Sequence, residues 1–326
     1  MGETQPHENL ADQRLAGRRE MKVDLDHLPE KQQAELARIR TTLLTEFDSS
    51  IAGGTQTWRK HGKILKIILF GSYARNDWVD EPENGYLSDF DLLIVVSNEK
   101  LTDIAEYWYV AEDKILHDTT IGRTVNIIVH DLAEVNGAIG RGEYFWTDIV
   151  QDGVVLYELP GHPLAAPKPM TAQEALAVAE QYADAKVADI SDWLRLAELS
   201  LAEGAHEARW RRKAAFNLHQ AVETAYIAAL LVWTFYFPRS HNIKFLRALA
   251  EDVDKSLVGA WPRDTKVERR RFEALKRAYV EARYSDQYDV SEDDLSELQR
   301  AASYLSELVK VSAERRIDLL QLAADE

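Results

Sequence analysis

The sequence predicts an α+β protein in which a mixed-sheet α/β domain precedes an all-α helical bundle. Short apolar runs alternate with helical patterns up to residue 158, which is typical of α/β domains. The stretch "LPGHPLAAPKPMT" then contains four of the nine prolines and indicates an extended linker. From Thr171 onward the hydrophobic pattern is helical. We therefore expect a poorly ordered leader at 1–27, the α/β domain at 28–158, the linker at 159–170 and the bundle at 171–326.

The elements of the first domain follow from periodicity and from turn residues. A helix is predicted over 29–50, because Pro29 suits a first turn and apolar residues follow at helical spacing. Two buried strands are predicted from the apolar runs "KILKIILF" and "LSDFDLLIVV". A helix over 101–116, the strand "TVNIIV", the short helices "LAEVNGAI" and "YFWTDIV" and a last strand, "GVVLYEL", complete the domain.

Five helices are predicted for the second half of the chain. The first begins with a capping box, because Glu174 stands three residues after Thr171. The others are predicted over 206–237, 241–251, 264–283 and 291–322. A bundle is the simplest packing for amphipathic helices of this number.

The turn after the first strand holds the first candidate site residues. The strand ends at Gly71, and the following "SYARND" can begin a helix with Ser72 near its cap. A strand, a glycine turn and a helix start point several backbone N–H groups at one spot, which favours phosphate. Arg75 is interpreted either as a bidentate phosphate clamp or as an ordinary surface charge.

Two aspartates begin the next strand. Side chains alternate across a strand, so Asp89 and Asp91 share a face with Cα atoms about 7 Å apart. Like charges this close raise each other's pKa, and a divalent cation that carries nucleotide phosphates removes the penalty. The apolar "LLIVV" that follows anchors the acidic end of the strand in the core.

Gly71-Ser72 and Asp89-Phe90-Asp91 together resemble the GS…DxD signature of the nucleotidyltransferase superfamily that shares the DNA polymerase β palm. The likeness spans residues 60–157 and is greatest to the minimal nucleotidyltransferase branch. It implies that Gly71 and Ser72 hold the triphosphate of ATP, and that Asp89 and Asp91 bind Mg²⁺ or Mn²⁺. Ser72 and the two aspartates would be catalytic. The implied reaction transfers AMP to a hydroxyl of an acceptor, which can be a protein, a small alcohol or an RNA.

The family usually places a third carboxylate on the following strand, and this sequence departs from that pattern. Asn126 stands at the expected position, and an amide cannot take a proton at neutral pH. Asp131, at the end of that strand, or a glutamate from the second half of the chain are the alternative sources of the carboxylate.

The second half resembles the HEPN helical domain over about residues 171–310, through "AFNLHQAVETAYIAALL", "PRSHNIKFLRALA" and "RAYVEARYSDQY". Some HEPN proteins are metal-independent ribonucleases with an Arg and a His four to six residues apart. Arg212 and His219 are seven apart, and no histidine follows Arg283 in "RYSDQY". A buried structural role for His219 is the favoured interpretation.

Other HEPN domains bind nucleotides, and one cluster of this sequence suits that role. Arg239, His241 and Lys244 surround the predicted start of a helix, where they can bind a phosphate together. The alternative is an ordinary helix cap with solvated neighbours.

Two hypotheses for function follow from these features. The first is a Mg²⁺-dependent nucleotidyltransferase whose helical domain contributes acceptor or nucleotide contacts. The alternative is a nucleotide-binding or metal-independent ribonuclease HEPN protein, of toxin–antitoxin or defence type, with a degenerate nucleotidyltransferase domain. Asn126 and the cluster around His241 motivate the alternative.

Composition excludes several classes of protein and of functional site. The absence of cysteine excludes disulfides and thiolate nucleophiles and fits a reducing cytosol. The net charge of −16 disfavours extensive DNA binding. The apolar run "IAALLVWTFYF" is too short to span a bilayer, and the N-terminus has no secretory h-region. We expect a cytoplasmic protein without membrane contact, and the HEPN likeness implies a possible homodimer.

Overall fold

The computed structural model describes residues 21–81, 86–205, 207–285 and 287–326. Within these residues, a sheet-containing part precedes a helical part, as the sequence predicts. The elements of the first part are α1 Glu30–Ile51, α2 Thr57–Lys60, β1 Ile64–Phe70, α3 Ser72–Arg75, β2 Asp80–Glu81, β3 Tyr86–Leu87, β4 Phe90–Val96, α4 Tyr109–Leu116, β5 Val125–Asp131, α5 Leu132–Arg141, α6 Tyr144–Asp152 and β6 Val154–Glu158.

A mixed sheet with the strand order β5-β4-β1-β6 forms the first part. β1 is antiparallel to both β4 and β6, whereas β4 and β5 are parallel. Every residue of β1 and β4 is buried, so both faces of these central strands are covered. This burial explains why their sequences read as continuous apolar runs rather than as alternating ones. The predicted mixed sheet is confirmed.

The segment between β4 and β5 differs from the single helix predicted over 101–116. It consists of a 3₁₀ turn at Glu99–Thr102, a π-helical turn at Ile104–Trp108 and then α4. The buried indole of Trp108 donates a hydrogen bond to the carbonyl of Leu101 at 2.8 Å, and Asp103 caps the turn between them. Tertiary burial of this ring outweighs the regular helical period.

The fold begins earlier than predicted. The leader was expected to end at residue 27, yet Lys22 bridges to Val154 and its carbonyl accepts a hydrogen bond from Val155 N at 2.8 Å. His27 Nε2 lies 2.8 Å from the carbonyl of Tyr73. Residues 21–27 therefore belong to the sheet-containing part, and the rest of the predicted leader, 1–20, lies outside the described residues.

The helical part agrees closely with the sequence pattern. Its helices are α7 Ala172–Gly204, α8 Ala208–Thr234, α9 Ile243–Val253, α10 Lys266–Tyr284 and α11 Glu292–Asp325, with a 3₁₀ segment at Lys255–Ala260. The predicted capping box of Thr171 and Glu174 is present. α8 ends before the predicted residue 237, because Phe235 adopts a left-handed conformation with φ of 62°. None of the helices in the described ranges has the length and apolar character that crossing a bilayer requires.

The two parts share one hydrophobic core. Residues 159–171 contain no helix or strand, in agreement with a linker, but buried side chains of the sheet pack against those of α8 and α9. Tyr236, just after α8, stacks on Phe145 with ring centroids 4.1 Å apart, and its hydroxyl lies 2.9 Å from His130 Nε2. His130 also pairs with Glu134 at 2.9 Å. The boundaries at 28–158 and 171–326 remain predictions.

We expect the substitution Tyr236→Ala to lower the free energy of unfolding by about 2–4 kcal/mol, because it removes a partly buried ring that packs against the core. Tyr236→Phe should cost about 1–3 kcal/mol, because His130 then lacks its hydroxyl partner. Urea unfolding followed by circular dichroism, together with hydrogen exchange of the strand amides, measures both effects. Tyr109→Ala, at a side chain 63% exposed, is the control. Strand amides whose exchange is unchanged in Tyr236→Ala would contradict a shared core.

Candidate functional site

The turn between β1 and α3 brings the backbone against a carboxylate. Gly71 has φ of +74°, which side-chain-bearing residues rarely adopt. A Cβ built on Gly71 would lie 2.7 Å from Asp91 Oδ2, so a side chain at this position would require the carboxylate to shift. A helix does begin at Ser72, but α3 is a single turn, because Asn76 after it has a left-handed conformation with φ of 66°. The first backbone N–H groups of α3, which have no partner within the helix, are therefore what this turn can offer to a phosphate, rather than the dipole of a long helix.

Asp89, Asp91 and Asn126 meet at the ends of neighbouring strands. The register places Asp91 between Phe70 of β1 and Asn126 of β5. Asn126 Nδ2 donates to Asp91 Oδ1 at 2.9 Å and, at 3.4 Å, to Asp89 Oδ2. The two carboxylates therefore face the same side. The amide stands where the third carboxylate was expected.

The electrostatics of this group suit a divalent cation. Burial raises the pKa of Asp91 to about 8, the hydrogen bond from Asn126 opposes the rise, and the charge of Asp89 adds to it. A hard cation with oxygen ligands would offset both the burial and the repulsion. In the described ranges no group of three or more His, Asp or Glu has metal-binding geometry, so a cation here would rely on Asp89, Asp91 and non-carboxylate oxygens. The pair and the glycine cradle beside it fit a Mg²⁺-nucleotide.

A buried ion pair packs against the segments that carry the glycine turn and the aspartate pair. Arg123 Nε donates to Glu35 Oε2 at 2.9 Å, and both side chains are almost fully buried. The guanidinium lies over the rings of Tyr73 and Phe90, at 5.2 and 5.1 Å from their centroids. Tyr73 follows the glycine turn and Phe90 separates the two aspartates, so this pair fixes both segments. Sequence reasoning missed Arg123, because a lone arginine before a strand gives no local signal.

Arg75 and Ser72 lie on the short helix α3. Arg75 forms ion pairs with Asp252, at the end of α9, and with Asp77 at 3.3 Å. Ser72 is partly exposed beside the glycine turn. Arg75 is therefore more than an ordinary surface charge, because it holds a carboxylate of the helical part.

Asp131 does not reach the site. The parallel register pairs Asp91 with Asn126 but Val96 with Asp131, which puts Asp131 at the opposite end of β5. Its carboxylate caps α5 by accepting hydrogen bonds from the backbone of Ala133 and Glu134. Asp131 therefore lies too far from the aspartate pair in this structure to act as the third carboxylate, because four residues of extended strand separate it from Asn126.

The three basic residues predicted to cluster around the start of α9 each pair with a different carboxylate. Arg239 pairs with Glu134 at 3.6 Å. His241 Nδ1 lies 3.0 Å from Glu223 Oε1. Lys244 Nζ lies 3.6 Å from Asp89 Oδ1 and donates to Thr124 Oγ1 at 3.3 Å. These residues therefore do not form one phosphate site in this structure. Lys244 alone of the three contacts the aspartate pair.

The residues considered for a nuclease site make contacts within the helical part. His219 is fully buried, with Nδ1 3.1 Å from the carbonyl of Leu275, so the structural role favoured for it is confirmed. Arg212 donates to the carbonyl of Ser285 at 3.1 Å. Arg283 lies 4.4 Å from the centroid of the Tyr279 ring and donates to the carbonyl of that residue. This geometry does not support the Arg212–His219 ribonuclease hypothesis, because a buried imidazole cannot reach an RNA hydroxyl.

Comparison with known proteins agrees with the fold. Residues 55–136 match the family model described as "Nucleotidyltransferase domain", and residues 190–312 match the "HEPN domain" model. The chain is also 36% identical over 98 residues to "Putative protein adenylyltransferase MJ0604" of Methanocaldococcus jannaschii. That alignment covers 29% of this chain and 81% of the relative.

Gly71, Ser72, Asp89, Asp91 and Asn126 all lie inside the first matched range. Both resemblances seen in the sequence are confirmed. The chain therefore belongs to the nucleotidyltransferase family and carries a HEPN domain after its nucleotidyltransferase domain.

Proposed function

We propose that this protein transfers a nucleoside monophosphate, AMP from ATP, to an acceptor hydroxyl in a Mg²⁺-dependent reaction. The meeting of Asp89, Asp91 and Asn126 beside the Gly71 turn carries the proposal. Two carboxylates on a rigid strand, next to backbone that approaches closely, are what a metal-bound triphosphate needs. The relative's description as an adenylyltransferase supports ATP as the nucleotide.

Each residue has a distinct role in this reaction. Asp89 and Asp91 hold the cation, and Gly71 and Ser72 offer backbone N–H groups to the phosphates. A Mg²⁺ or Mn²⁺ ion held there would neutralise charge on the phosphates. The acceptor oxygen bonds to the α-phosphorus, the bond to the pyrophosphate leaving group breaks, and the proton of the acceptor hydroxyl passes to solvent. Asn126 orients both carboxylates through its amide. Most of the acceleration comes from positioning and charge, so the reaction does not depend on a third carboxylate.

The proposal also covers the acceptor, the role of the HEPN domain, the oligomeric state and the location of the protein. The acceptor hydroxyl belongs to a protein, a small alcohol or an RNA, and the net charge of −16 makes an RNA the least favourable of these. The HEPN domain contributes contacts to nucleotide or acceptor, and a homodimer and a cytoplasmic location are part of the same proposal. The alternative that remains is a nucleotide binder without transfer activity.

We expect Asp89→Asn and Asp91→Asn to lower transfer by about 10³-fold, because each removes an anionic ligand of the cation. The measurement incubates the protein with Mg²⁺ and ATP labelled at the α-phosphate and follows label on protein, RNA and small alcohols. Asp131→Asn, at the far end of β5, is the matched control and should retain transfer. If the wild type binds ATP yet labels no acceptor, the protein is a nucleotide binder. Label transferred equally by all three variants would refute the site.

Asn126→Asp places a third carboxylate beside the pair. We expect Mn²⁺ to bind about tenfold more tightly, because affinity follows the number of charged ligands. Without the cation the variant should be less stable than the wild type, since three carboxylates then repel one another. Titration calorimetry with Mn²⁺ and thermal unfolding with and without it measure both effects. Asn136→Asp, on α5, is the control; equal Mn²⁺ affinity in wild type and Asn126→Asp would place Asn126 outside the cation site.

Gly71→Ala tests the close approach of backbone and carboxylate. The new Cβ would push Asp91 away, so we expect loss of Mn²⁺ binding. We also expect a stability cost of about 1–3 kcal/mol, because φ of 74° with ψ of −154° is a backbone conformation that essentially only glycine adopts. Gly53→Ala is a matched control, because Gly53 has φ of +70° but nothing within 4 Å of its built Cβ. The control should also lose stability, because of its positive φ, and should keep its Mn²⁺ affinity. Unchanged Mn²⁺ binding in Gly71→Ala would show that the turn does not shape the site.

A further inference from the structure

One helix of the HEPN part contacts the candidate site at both of its ends. Lys244, in the first turn of α9, pairs with Asp89 of the aspartate pair. Asp252, in the last turn of α9, pairs with Arg75 on α3. α9 thus presents a cation to the proposed metal ligand and an anion to the candidate phosphate clamp. These are the charges that a metal-bound phosphate would bring to the same residues.

We propose that Lys244 is a phosphate-binding residue of the nucleotide site, which is held by Asp89 until that carboxylate ligates a divalent cation. The proposal rests on the proposed function, because it takes Asp89 as a ligand of the cation. It adds a residue of the HEPN part to the nucleotide site and separates Lys244 from Arg239 and His241, which engage Glu134 and Glu223.

The surroundings of Lys244 fit a side chain that changes partners. Its ammonium lies 3.6 Å from Asp89 Oδ1 and 3.3 Å from Thr124 Oγ1, and the side chain is 44% exposed. Asp89 is only 9% exposed, so its charge is far less accessible to water than that of Lys244. The flexible four-carbon stem of a lysine can move its charge by several ångströms at little cost.

The position of Lys244 on α9 supports a role outside the helix. It is the second residue of α9, where the partial positive charge of a helix N-terminus disfavours a cation. Asn242 already caps this end by accepting hydrogen bonds from the backbone of Lys244 and Phe245. The lysine charge therefore does not stabilise α9 itself, and the interaction that it does make is with the site.

Lys244 should therefore have opposite effects on two affinities: it lowers the affinity for a divalent cation alone and raises the affinity for the metal-bound nucleotide. In the protein without ligands, the ammonium and a divalent cation compete for Asp89, since both carry positive charge to one carboxylate. Once Asp89 ligates the cation, Lys244 is repelled from it and the nearest anion is the phosphate that the cation carries. Lys244 then donates charge-assisted hydrogen bonds to that phosphate. A side chain that only stabilised the junction between the two parts would not produce this opposition.

The test measures both effects by titration calorimetry on the full chain. In the first titration the ligand is Mn²⁺ alone. In the second titration the ligand is adenosine 5′-(α,β-methylene)triphosphate in saturating Mg²⁺, and its methylene bridge prevents transfer. We expect Lys244→Met to bind Mn²⁺ about threefold to tenfold more tightly, because the competing charge is gone. The same variant should bind the analogue about tenfold or more weakly, because a charged hydrogen bond is lost.

Two further variants make the result specific. Lys244→Arg keeps the charge and should stay near wild type for Mn²⁺ and recover most of the analogue affinity. Lys310→Met removes a lysine that pairs with Glu307 at 3.0 Å on α11, and should change neither affinity. If either shift in Lys244→Met is absent or has the opposite sign, the proposal is overturned. A wild type that binds both ligands but never transfers label refutes the proposed function, while the two shifts still decide the role of Lys244.

Discussion

The contact between the Gly71 backbone and the Asp91 carboxylate is the constraint on which the candidate site depends. The antiparallel register sets Phe70 opposite Asp91, so the next residue of the chain arrives against the carboxylate and has no room for a Cβ. Because Asp91 is buried, its charge is costly, and this cost raises its pKa. Asn126 offsets the cost in part by donating to Asp91 and Asp89. A cation that joined both carboxylates would offset it more fully, and this links the strand packing to the proposed chemistry.

The HEPN part forms a helical bundle and also contributes residues that contact the candidate site. Tyr236 fills the junction through its contacts with Phe145 and His130, which holds α8 against the sheet. With that packing in place, α9 lies where Lys244 and Asp252 reach Asp89 and Arg75. A nucleotidyltransferase sheet alone would leave Asp89 and Arg75 without these partners. If the proposed function holds, the charges that meet the nucleotide therefore come from both domains.

Most elements of the fold were predictable because their signals are local. The continuous apolar runs of β1 and β4 reflect burial on both faces, and the capping box at Thr171 marks the start of α7 within one residue. Prediction was wrong where a tertiary contact outweighed the local pattern. The buried ring of Trp108 divides the helix expected over 101–116, and Lys22 adds residues of the expected leader to the sheet. Asp131 lies at the strand end, as predicted, but distance along the strand keeps it from the aspartate pair, because position rather than residue type decides which side chains meet.

The sequence by itself determined the motif residues and the faces that they share. A period of two along a strand places Asp89 and Asp91 on one side, and a glycine at the end of a buried strand indicates a turn that backbone groups can use. Only the tertiary structure decided which distant side chains join them. Lys244 and Thr124 are 120 residues apart, and Arg75 and Asp252 are 177 apart. Such contacts depend on how α9 packs across the sheet, and the helical period of α9 records which of its faces is buried but not which part of the protein covers it.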